Sequence, residues 1–334
     1  MELLEKVPVE QYAHRVSTTP TVSVCIQTYN HVNYIKKCLD SVLTQQTDYE
    51  FEILLGEDAS TDGTREICIK YAEKHPDKVR LFLHHRENNI KIGGIPTGRF
   101  NFLYNLSQAR GRYIAICEGD DYWTDSSKLQ QQVSKFLATS ELSLIFTNAN
   151  KLVNGEIVPF FLKTTPPEQM TSEEFIIGHH QVPTCSTMLS RSAIDEILKC
   201  YQKWETHFFH MDYFMWTIAS KVGNVYFINE NMVTYLVHAE SIIRKANTRM
   251  ALKNGIRLNN ILSKEFSGKT RKYFQSGKWW YYLEFAFLEI KSNNFLKAHY
   301  WLVLSLIDSI FNRKTNQFQI IRDFGYRLRN RSIN

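Results

Sequence analysis

Val22-Ser-Val-Cys-Ile-Gln-Thr-Tyr-Asn30 determines the class of fold that this chain adopts. Every second residue from Val22 to Ile26 is apolar, and this period of two is typical of a β-strand. Apolar residues then recur at helical spacing between Val32 and Val42. The segment therefore predicts a strand, a polar loop and a helix, in that order.

The same order of strand, loop and helix recurs further along the chain. Strands are predicted at residues 51–55, 79–83 and 113–117, and helices at residues 65–74 and 100–109, the latter after a glycine-rich stretch. A chain that alternates strands with helices forms a mostly parallel sheet with helices on both faces. We therefore predict a Rossmann-like α/β fold, in which ligands bind beyond the carboxyl ends of the strands.

Polar clusters stand at the ends of three of these strands. The first strand leads into Thr28-Tyr29-Asn30, the second into Glu57-Asp58, and the strand at residues 113–117 into Glu118-Gly-Asp-Asp121. Because the carboxyl ends of parallel strands meet at one edge of a sheet, we expect these clusters to converge.

The second half of the chain contains fewer clear repeats. Strands are predicted near residues 185–189 and at residues 225–228 and 233–237, with a helix over residues 210–222. After about residue 243, aromatic and apolar residues fall on helical faces around residues 279–288 and 295–306, which predicts a pair of antiparallel helices. We predict an α/β domain over residues 1–243 and a basic helical appendage over residues 244–334.

Charge divides the chain at the same place. Residues 1–243 carry 22 basic and 29 acidic residues, a net charge of −7, whereas residues 244–334 carry 18 and 5, a net charge of +13. The basic part favours an anionic partner. Between Arg313 and Arg331 basic residues alternate with apolar ones, which indicates either a helix lying on an anionic membrane or a helix packed on its own protein.

The location of the protein is predicted from its apolar runs and its cysteines. The N-terminus lacks the pattern of a signal peptide, and the apolar run at residues 300–307 is too short to span a bilayer. The six cysteines form no close pair, which is typical of free thiols in a reducing compartment. We expect a cytoplasmic location, with attachment to the inner face of the cell membrane if the first alternative for the basic tail holds.

Asp120-Asp121 is the strongest candidate for a metal-binding site. It follows an apolar strand and a glycine, Gly119, that allows backbone to approach a ligand. Adjacent carboxylates repel each other unless something neutralises them, and hard oxygen ligands suit Mg²⁺ or Mn²⁺ bridging a diphosphate. The alternative is an aspartate-rich turn before the helix that begins near Lys128.

Three stretches together resemble the family 2 glycosyltransferases, which have the GT-A fold. They are the opening strand and loop up to Asn30, then Glu57-Asp-Ala-Ser-Thr-Asp-Gly-Thr64, then Glu118-Gly-Asp-Asp-Tyr-Trp123, and the resemblance covers residues 21–238. It implies an inverting transferase that moves a sugar from a nucleotide-sugar, with a UDP-sugar as the expected donor, to an acceptor hydroxyl. The Gln-x-x-Arg-Trp signature of processive synthases is missing, which favours addition of a single sugar.

The resemblance implies nucleotide contacts for two of the clusters. Thr28, Tyr29 and Asn30 are expected to pack on the base and ribose. Glu57 and Asp58 stand where the family has the acidic pair that accepts hydrogen bonds from the base, although this chain has Glu-Asp-Ala where Asp-Asp-Gly is commoner.

The resemblance also implies a metal site and a base. Asp120 and Asp121 match the family's metal-binding signature, with Asp121 expected to bind Mn²⁺ or Mg²⁺ directly and Asp120 expected to contact metal and donor. Asp212, at the start of a predicted helix, matches the carboxylate that deprotonates the acceptor, and a helix N-cap is its structural alternative. His238 matches a histidine that approaches the metal or diphosphate, and Asn101 a donor contact, although the usual Ala-Arg-Asn run is absent.

The expected partners are a nucleotide-sugar and a carbohydrate or lipid-linked acceptor, with no nucleic acid, in surface polysaccharide or lipid-linked oligosaccharide assembly. One alternative is a nucleotidyltransferase, but Gln27-Thr-Tyr-Asn-His31 is not the glycine-rich, basic phosphate loop that such an enzyme has after its first strand. Another is a non-catalytic membrane- or nucleic-acid-binding protein on a transferase scaffold.

Five other features are interpreted as structural or left open. His84-His85 and His179-His180 are taken as surface or loop histidines, because adjacent residues on a strand point to opposite faces. Arg86 and Lys91 could reach a phosphate group, but both are taken as solvated charges. Trp123 either borders the acceptor site or packs in the core.

Overall fold

The computed structural model describes residues 5–161, 164–178, 181–204, 208–237 and 248–310. The strands in these residues are β1 (Glu10–Gln11), β2 (Val22–Thr28), β3 (Phe51–Glu57), β4 (Val79–Leu83), β5 (Ile90–Ile92), β6 (Ile95–Thr97), β7 (Tyr113–Ile116), β8 (Tyr122–Trp123), β9 (Leu142–Val153), β10 (Glu156–Pro159), β11 (Gln169–Met170), β12 (Met188–Ser190) and β13 (Asn224–Val237). The α-helices are α1 (Ile35–Leu43), α2 (Thr64–Lys74), α3 (Arg99–Gln108), α4 (Lys128–Ala138), α5 (Ser172–Gly178), α6 (Arg191–Trp204), α7 (Met211–Val222), α8 (Thr248–Glu265), α9 (Gly268–Ser276), α10 (Trp279–Lys291) and α11 (Phe295–Ile310).

A large sheet forms the centre of the fold. Its strand order is β1-β4-β3-β2-β7-β12-β9-β13-β11, with β10 paired to β9 and β8 paired to β13. Strands β4, β3, β2 and β7 are parallel, and so are β9 and β13. Strand β12 runs antiparallel between β7 and β9. The predicted mostly parallel sheet is therefore confirmed, with antiparallel strands inside it and at its edges.

Helices cover both faces of the parallel part. Alternate residues of β2, β3, β4 and β7 form one apolar cluster with α1, α2 and α4. Ile53 and Leu55 of β3 belong to this cluster, so Gly56 faces the other side, where α3 approaches. Strand β2 is buried along almost its whole length because it is paired on both edges and covered on both faces.

The structure differs from the sequence-based prediction in three segments. The glycine-rich stretch before α3 forms a hairpin of β5 and β6, which turns at Gly93 and Gly94, both with positive φ. The strand predicted near residues 185–189 is a 3₁₀ turn followed by β12. The two strands predicted at residues 225–228 and 233–237 are one strand, β13, interrupted by register shifts.

The chain divides into two compact units. The first comprises Met1–Glu205 and Met215–Ser241, and the second Thr206–Phe214 and Ile242–Asn334. The predicted boundary after residue 243 lies next to one of these breaks, but the short segment around residue 210 was not predicted to belong with the C-terminal helices. The proposed division into a catalytic and an appended domain stays a prediction.

The C-terminal unit contains the predicted helical hairpin. The Trp301 ring of α11 stacks on Phe285 and Tyr282 of α10, with ring centroids 4.7 and 5.8 Å apart. The Ser305 hydroxyl donates to the Trp279 carbonyl over 2.8 Å, so the helices run antiparallel. Within the described ranges, no helix has the length and apolar character needed to cross a membrane.

Candidate functional site

Hydrogen bonds between backbone groups bring the three polar clusters to one edge of the sheet. The Asp58 amide donates to the Thr28 carbonyl over 3.1 Å, and the Gly119 amide donates to the Gln27 carbonyl over 3.0 Å. Gly119 lies so close to Thr28 that a Cβ at this position would come within 2.8 Å of the threonine side chain. The predicted convergence of the loops after β2, β3 and β7 is therefore present in the structure.

Asn30 links the first loop to the second. Its amide donates to the Ser60 hydroxyl over 2.9 Å, and its side-chain oxygen accepts from the Thr61 amide over 3.0 Å. Asn30 has a φ of 53°, in the left-handed region that asparagine tolerates better than most residues. The Asn30 side chain thus holds the two loops together, and the Thr28 side chain is buried beside Gly119.

Asp58 is buried and held by two donors from the end of β4. The Arg86 guanidinium lies 2.6 Å from Asp58 Oδ2, and Asn89 donates to the same oxygen over 2.7 Å. Burial raises the pKa of Asp58 to about 6, while Arg86 and Asn89 oppose the rise. Arg86 also lies 3.9 Å from the ring centroid of Tyr29, which is exposed. One arginine therefore contacts both residues that are predicted to hold the base, and its interpretation as a solvated charge was wrong.

Glu57 has a different environment from Asp58. It is fully buried, and its carboxylate accepts from the Ala59 and Ser60 amides and from the Arg65 side chain. These bonds fix the loop that follows β3. The predicted contact between Glu57 and the nucleotide stays a prediction.

Asn101 lies between α3 and the sheet. Its side-chain amide donates to the Gly56 carbonyl over 2.7 Å, and the residue is 2% exposed. Beside it is His84, which is buried against the rings of Phe100 and Tyr104. Burial lowers the pKa of His84 to about 4. His84 is therefore a neutral, buried residue of the loop after β4, so the predicted loop position is present but a surface position is wrong. The donor contact predicted for Asn101 stays a prediction.

Asp121 is the most deeply buried carboxyl of the third cluster. It is 1% exposed, and its Oδ1 atom accepts from the Leu236 amide of β13 over 2.7 Å. Burial raises the pKa of Asp121 well above its usual range, and the nearby Asp120 charge raises it further. Its Oδ2 atom is buried without a hydrogen-bond partner of good geometry among the described residues, and the side chains of Cys185 and Glu118 are close enough to lower the pKa of the carboxyl.

Three cysteines lie near this carboxyl, and a buried lysine lies near two of their thiols. The thiols of Cys38 and Cys117 are 3.6 Å apart, and Cys185 is close enough to Asp121 to affect its pKa. Lys128 is fully buried, with its ammonium 4.1 Å from the Trp123 ring and bonded to Gln132 over 2.7 Å. Burial lowers the pKa of Lys128 to about 7.

Trp123 and Tyr235 are two further aromatic residues near the third cluster. Trp123 is 4% exposed and donates to the Cys185 carbonyl over 2.9 Å, so it packs in the core. Burial raises the pKa of the Tyr235 hydroxyl, and the charges of Glu118, Asp121 and Asp120 raise it further. Tyr235 was not singled out from the sequence, because a tyrosine in a strand carries no sign of the carboxylates that the fold brings near it.

The residues of the third cluster fit a divalent cation. Asp121 offers a buried oxygen without a hydrogen-bond partner of good geometry among the described residues, Asp120 is its neighbour, and hard oxygen atoms are the ligands that Mg²⁺ and Mn²⁺ prefer. A cation here would also remove the electrostatic cost of burying one carboxylate beside another.

Of the remaining two predicted residues, one lies within the described part of the chain. Asp212 is exposed in the first turn of α7, where its side chain accepts from the Tyr213 amide over 2.8 Å. His238 lies outside the described residues, as do His179 and His180. The roles of Asp212 as base and of His238 as ligand stay predictions.

Comparison with known proteins identifies the family. Residues 23–198 match the model of the glycosyl transferase family 2. The chain belongs to this family. The resemblance read from the three polar clusters is thereby confirmed.

Two relatives indicate how far the likeness extends. An uncharacterised protein of Mycobacterium tuberculosis (strain ATCC 25618 / H37Rv) is 28% identical over 227 residues, which are 68% of this chain and 62% of that protein. Chondroitin synthase of Pasteurella multocida (strain Pm70) is 30% identical over 183 residues, 52% of this chain and 17% of the synthase. The chain thus spans less than two thirds of the length of each of these relatives.

A solved structure supports the fold. The crystal structure of residues 1–349 of TarS from S. aureus, in complex with UDP-GlcNAc, is similar with a TM-score of 0.51 and 15% identity, over 88% of this chain and 92% of that one. The sheet and its covering helices are those of the GT-A fold, as predicted.

Proposed function

We propose that this protein is a metal-dependent, inverting glycosyltransferase. Its donor is a nucleotide-sugar, and its acceptor is a hydroxyl of a carbohydrate or lipid-linked saccharide in surface polysaccharide or lipid-linked oligosaccharide assembly. The observation that carries this proposal is the buried Oδ2 atom of Asp121, which has no hydrogen-bond partner of good geometry among the described residues and lies at the sheet edge that also holds Tyr29 and Asp58.

Membership of family 2 and the likeness to chondroitin synthase support a role in making a polysaccharide. A UDP-sugar is the first donor to test, because it was expected from the sequence and because TarS, which shares the fold, was crystallised with UDP-GlcNAc.

The loops after β2 and β3 bind the nucleotide in this proposal. The exposed Tyr29 ring stacks on the base, and the Asp58 carboxylate accepts a hydrogen bond from it. Arg86 holds both side chains in place before the nucleotide arrives. Glu57 acts on the same site by fixing the loop that carries Asp58.

Asp120 and Asp121 would hold Mn²⁺ or Mg²⁺, with His238 as a third ligand implied by the family. Such a cation, when bound, stabilises the negative charge of the departing nucleoside diphosphate. In the cation-free protein the Asp121 carboxyl keeps its proton more readily than an ordinary aspartate, because burial and Asp120 disfavour its charge.

Asp212 is our candidate for the base. It takes the proton of the acceptor hydroxyl, and the oxygen attacks the anomeric carbon while the bond to the diphosphate breaks, which inverts the configuration. Its exposed position at a helix start leaves the carboxylate open to solvent.

A thermal-shift experiment tests the proposal. The intact chain is heated with UDP-, GDP-, dTDP- and CMP-sugars, with and without Mn²⁺. The variant Asp121→Asn is compared with the control Asp77→Asn, which changes an exposed aspartate just before β4. One donor class, at a concentration well above its Kd, is expected to raise the Tm by about 5 °C or more only with Mn²⁺. Asp121→Asn loses this shift and Asp77→Asn keeps it.

The same variants separate binding from catalysis. Asp121→Asn is also expected to melt above the unaltered protein without ligands, since it removes a carboxyl whose charge is costly to bury. Asp212→Asn keeps the shift but loses sugar transfer to an acceptor. A chain that no nucleotide-sugar stabilises contradicts the proposal and favours a binding protein, while pyrophosphate release from a nucleoside triphosphate indicates a nucleotidyltransferase.

A further inference from the structure

Helix α11 exposes a row of large apolar side chains. Leu296 is 88% exposed, Tyr300 57%, Val303 39% and Ile307 48%. Their spacing of four, three and four residues places them on one line along the helix, which extends for about 17 Å. Single exposed apolar residues are ordinary on a protein surface, but a continuous row of this kind marks a surface that binds something.

The row lies opposite the face that α11 uses inside its own unit. Ala298 and Ser305 are buried, and Trp301 stacks on Phe285 of α10. Those residues already provide the packing of the hairpin. The exposed row is therefore additional to what the hairpin needs for its stability.

The exposed charged side chains at the N-terminal end of the row are basic. Lys291 and Lys297 are exposed close to that end. The only acidic residue in α11 is Asp308, which is not exposed. The 24 residues that follow Ile310 contain six basic residues and one acidic residue. An anionic partner thus complements both the flank of the row and the segment after it.

We propose that the outer face of α11 is a membrane-docking surface that lies in the plane of an anionic lipid bilayer. With 16 residues, α11 is shorter than the roughly 20 residues needed to span the hydrocarbon core, so it lies along the interface. Leu296, Val303 and Ile307 enter the acyl boundary, while Tyr300 sits at the headgroup level, where aromatic rings with a polar tip are favoured. The neighbouring basic groups contact lipid phosphates.

A lipid surface fits these features better than a second copy of the chain does. The row forms a ridge on one helix and is flanked by positive charge, and two such ridges would bring like charges together. A bilayer accepts a single helix without a complementary groove. This surface rests on no step of the proposed sugar transfer, so its test does not measure activity.

Vesicle flotation of the intact chain tests the proposal. Vesicles of phosphatidylcholine and phosphatidylglycerol in equal parts are compared with pure phosphatidylcholine. The double variant Leu296→Asp, Val303→Asp is compared with the control Leu137→Asp, Ile157→Asp, which changes two apolar residues of the other unit that are 55% and 63% exposed. We expect binding to the anionic vesicles, weakened about tenfold or more in the first variant and unchanged in the control.

Several outcomes would overturn the proposal. Binding that is equal for both variants assigns the membrane contact to another part of the chain, and equal binding to neutral vesicles removes the role of charge. Sedimentation of each variant measures self-association. A dimer that only the α11 variant dissociates, together with no vesicle binding, would assign the row to contact with a second copy of the chain.

The circular dichroism melt controls for folding and is expected to be the same for all variants, because the changed residues are exposed. If the α11 variant does not fold, Lys297→Glu is used instead, with the same expected loss of binding to anionic vesicles.

Discussion

At the scale of single residues, Asp58 and Asp121 show how neighbouring groups change the effect of burial on a carboxyl. Both are buried carboxyls at the same sheet edge, and burial raises the pKa of each. Asp58 has cationic and amide donors that oppose this rise, whereas Asp121 has another carboxylate beside it that adds to the rise. This difference makes Asp58 suited to accept hydrogen bonds and Asp121 suited to bind a cation.

Donor binding is expected to depend on the charge of Asp58. Its pKa of about 6 means that the carboxylate is ionised above this pH and gains a proton below it. Because only the ionised form accepts the base N–H fully, affinity for the donor selected by the thermal-shift panel is expected to fall by up to about tenfold per pH unit below pH 6. Isothermal titration calorimetry at a series of pH values measures this dependence.

The variant Asp58→Asn provides the matched test. Its amide oxygen still accepts a hydrogen bond but does not titrate, so affinity is expected to be lower at neutral pH and almost constant through this range. Asp77→Asn is expected to follow the unaltered chain. A pH dependence that persists in Asp58→Asn would assign the titration to another group.

At the scale of elements, the contact between β3 and α3 decides how closely a helix approaches the site. A Cβ on Gly56 would lie 1.7 Å from Asn101 Oδ1 and 2.9 Å from Asn105 Nδ2. The two asparagines hydrogen-bond to the carbonyls of Gly56 and Ile26. A side chain on Gly56 therefore displaces both amides from their bonds.

The variant Gly56→Ala is expected to lower the free energy of unfolding by about 2 to 3 kcal/mol, since it combines overpacking with loss of buried hydrogen bonds. Gly98→Ala is the control, because a Cβ there meets nothing within 4 Å, and a change below about 1 kcal/mol is expected. Urea denaturation followed by circular dichroism compares the two. Equal urea midpoints for the two variants would mean that α3 moves away from the added methyl group without loss of stability.

Elements with strong local periodicity were predicted well from the sequence. The strand at residues 79–83 is β4, and the helix predicted over residues 65–74 is α2 with one residue more. These elements follow from the alternation and spacing of apolar residues, which are local properties. The loops that bear Asp58 and Asp121 were predicted for the same reason, since their place follows from the end of each strand.

Contacts that depend on the pairing of distant strands were missed. Arg86 and Asn89 reach Asp58 only because β4 pairs with β3, so the end of β4 lies at the same edge. Lys128 would be expected in solvent from its type, yet it is fully buried over the Trp123 ring. Asn101 was assigned from a family position, and its burial depends on how α3 packs on Gly56.

At the scale of the whole molecule, the reactivity of the six cysteines indicates whether the first unit is folded. All are free and buried, with exposure from 0 to 2%, and they are distributed from β2 to α6. Burial raises the pKa of Cys25, Cys68, Cys117 and Cys185, so these thiols lack both the access and the charge that reaction requires.

Labelling with Ellman's reagent is therefore expected to detect almost none of the thiols in the native chain and all six in guanidinium chloride. Any native reaction must pass through opening of the fold, so its rate is expected to rise with denaturant and to fall when donor and Mn²⁺ are added, because ligands that bind only the folded state reduce the open population. The control is Asp121→Asn, in which the ligands are expected to have no such effect. Rapid reaction of one or two thiols without denaturant would instead reveal a local opening. Protection by the ligands would place that opening at Cys38 and Cys117, because the charge of Asp121 affects the pKa of both thiols.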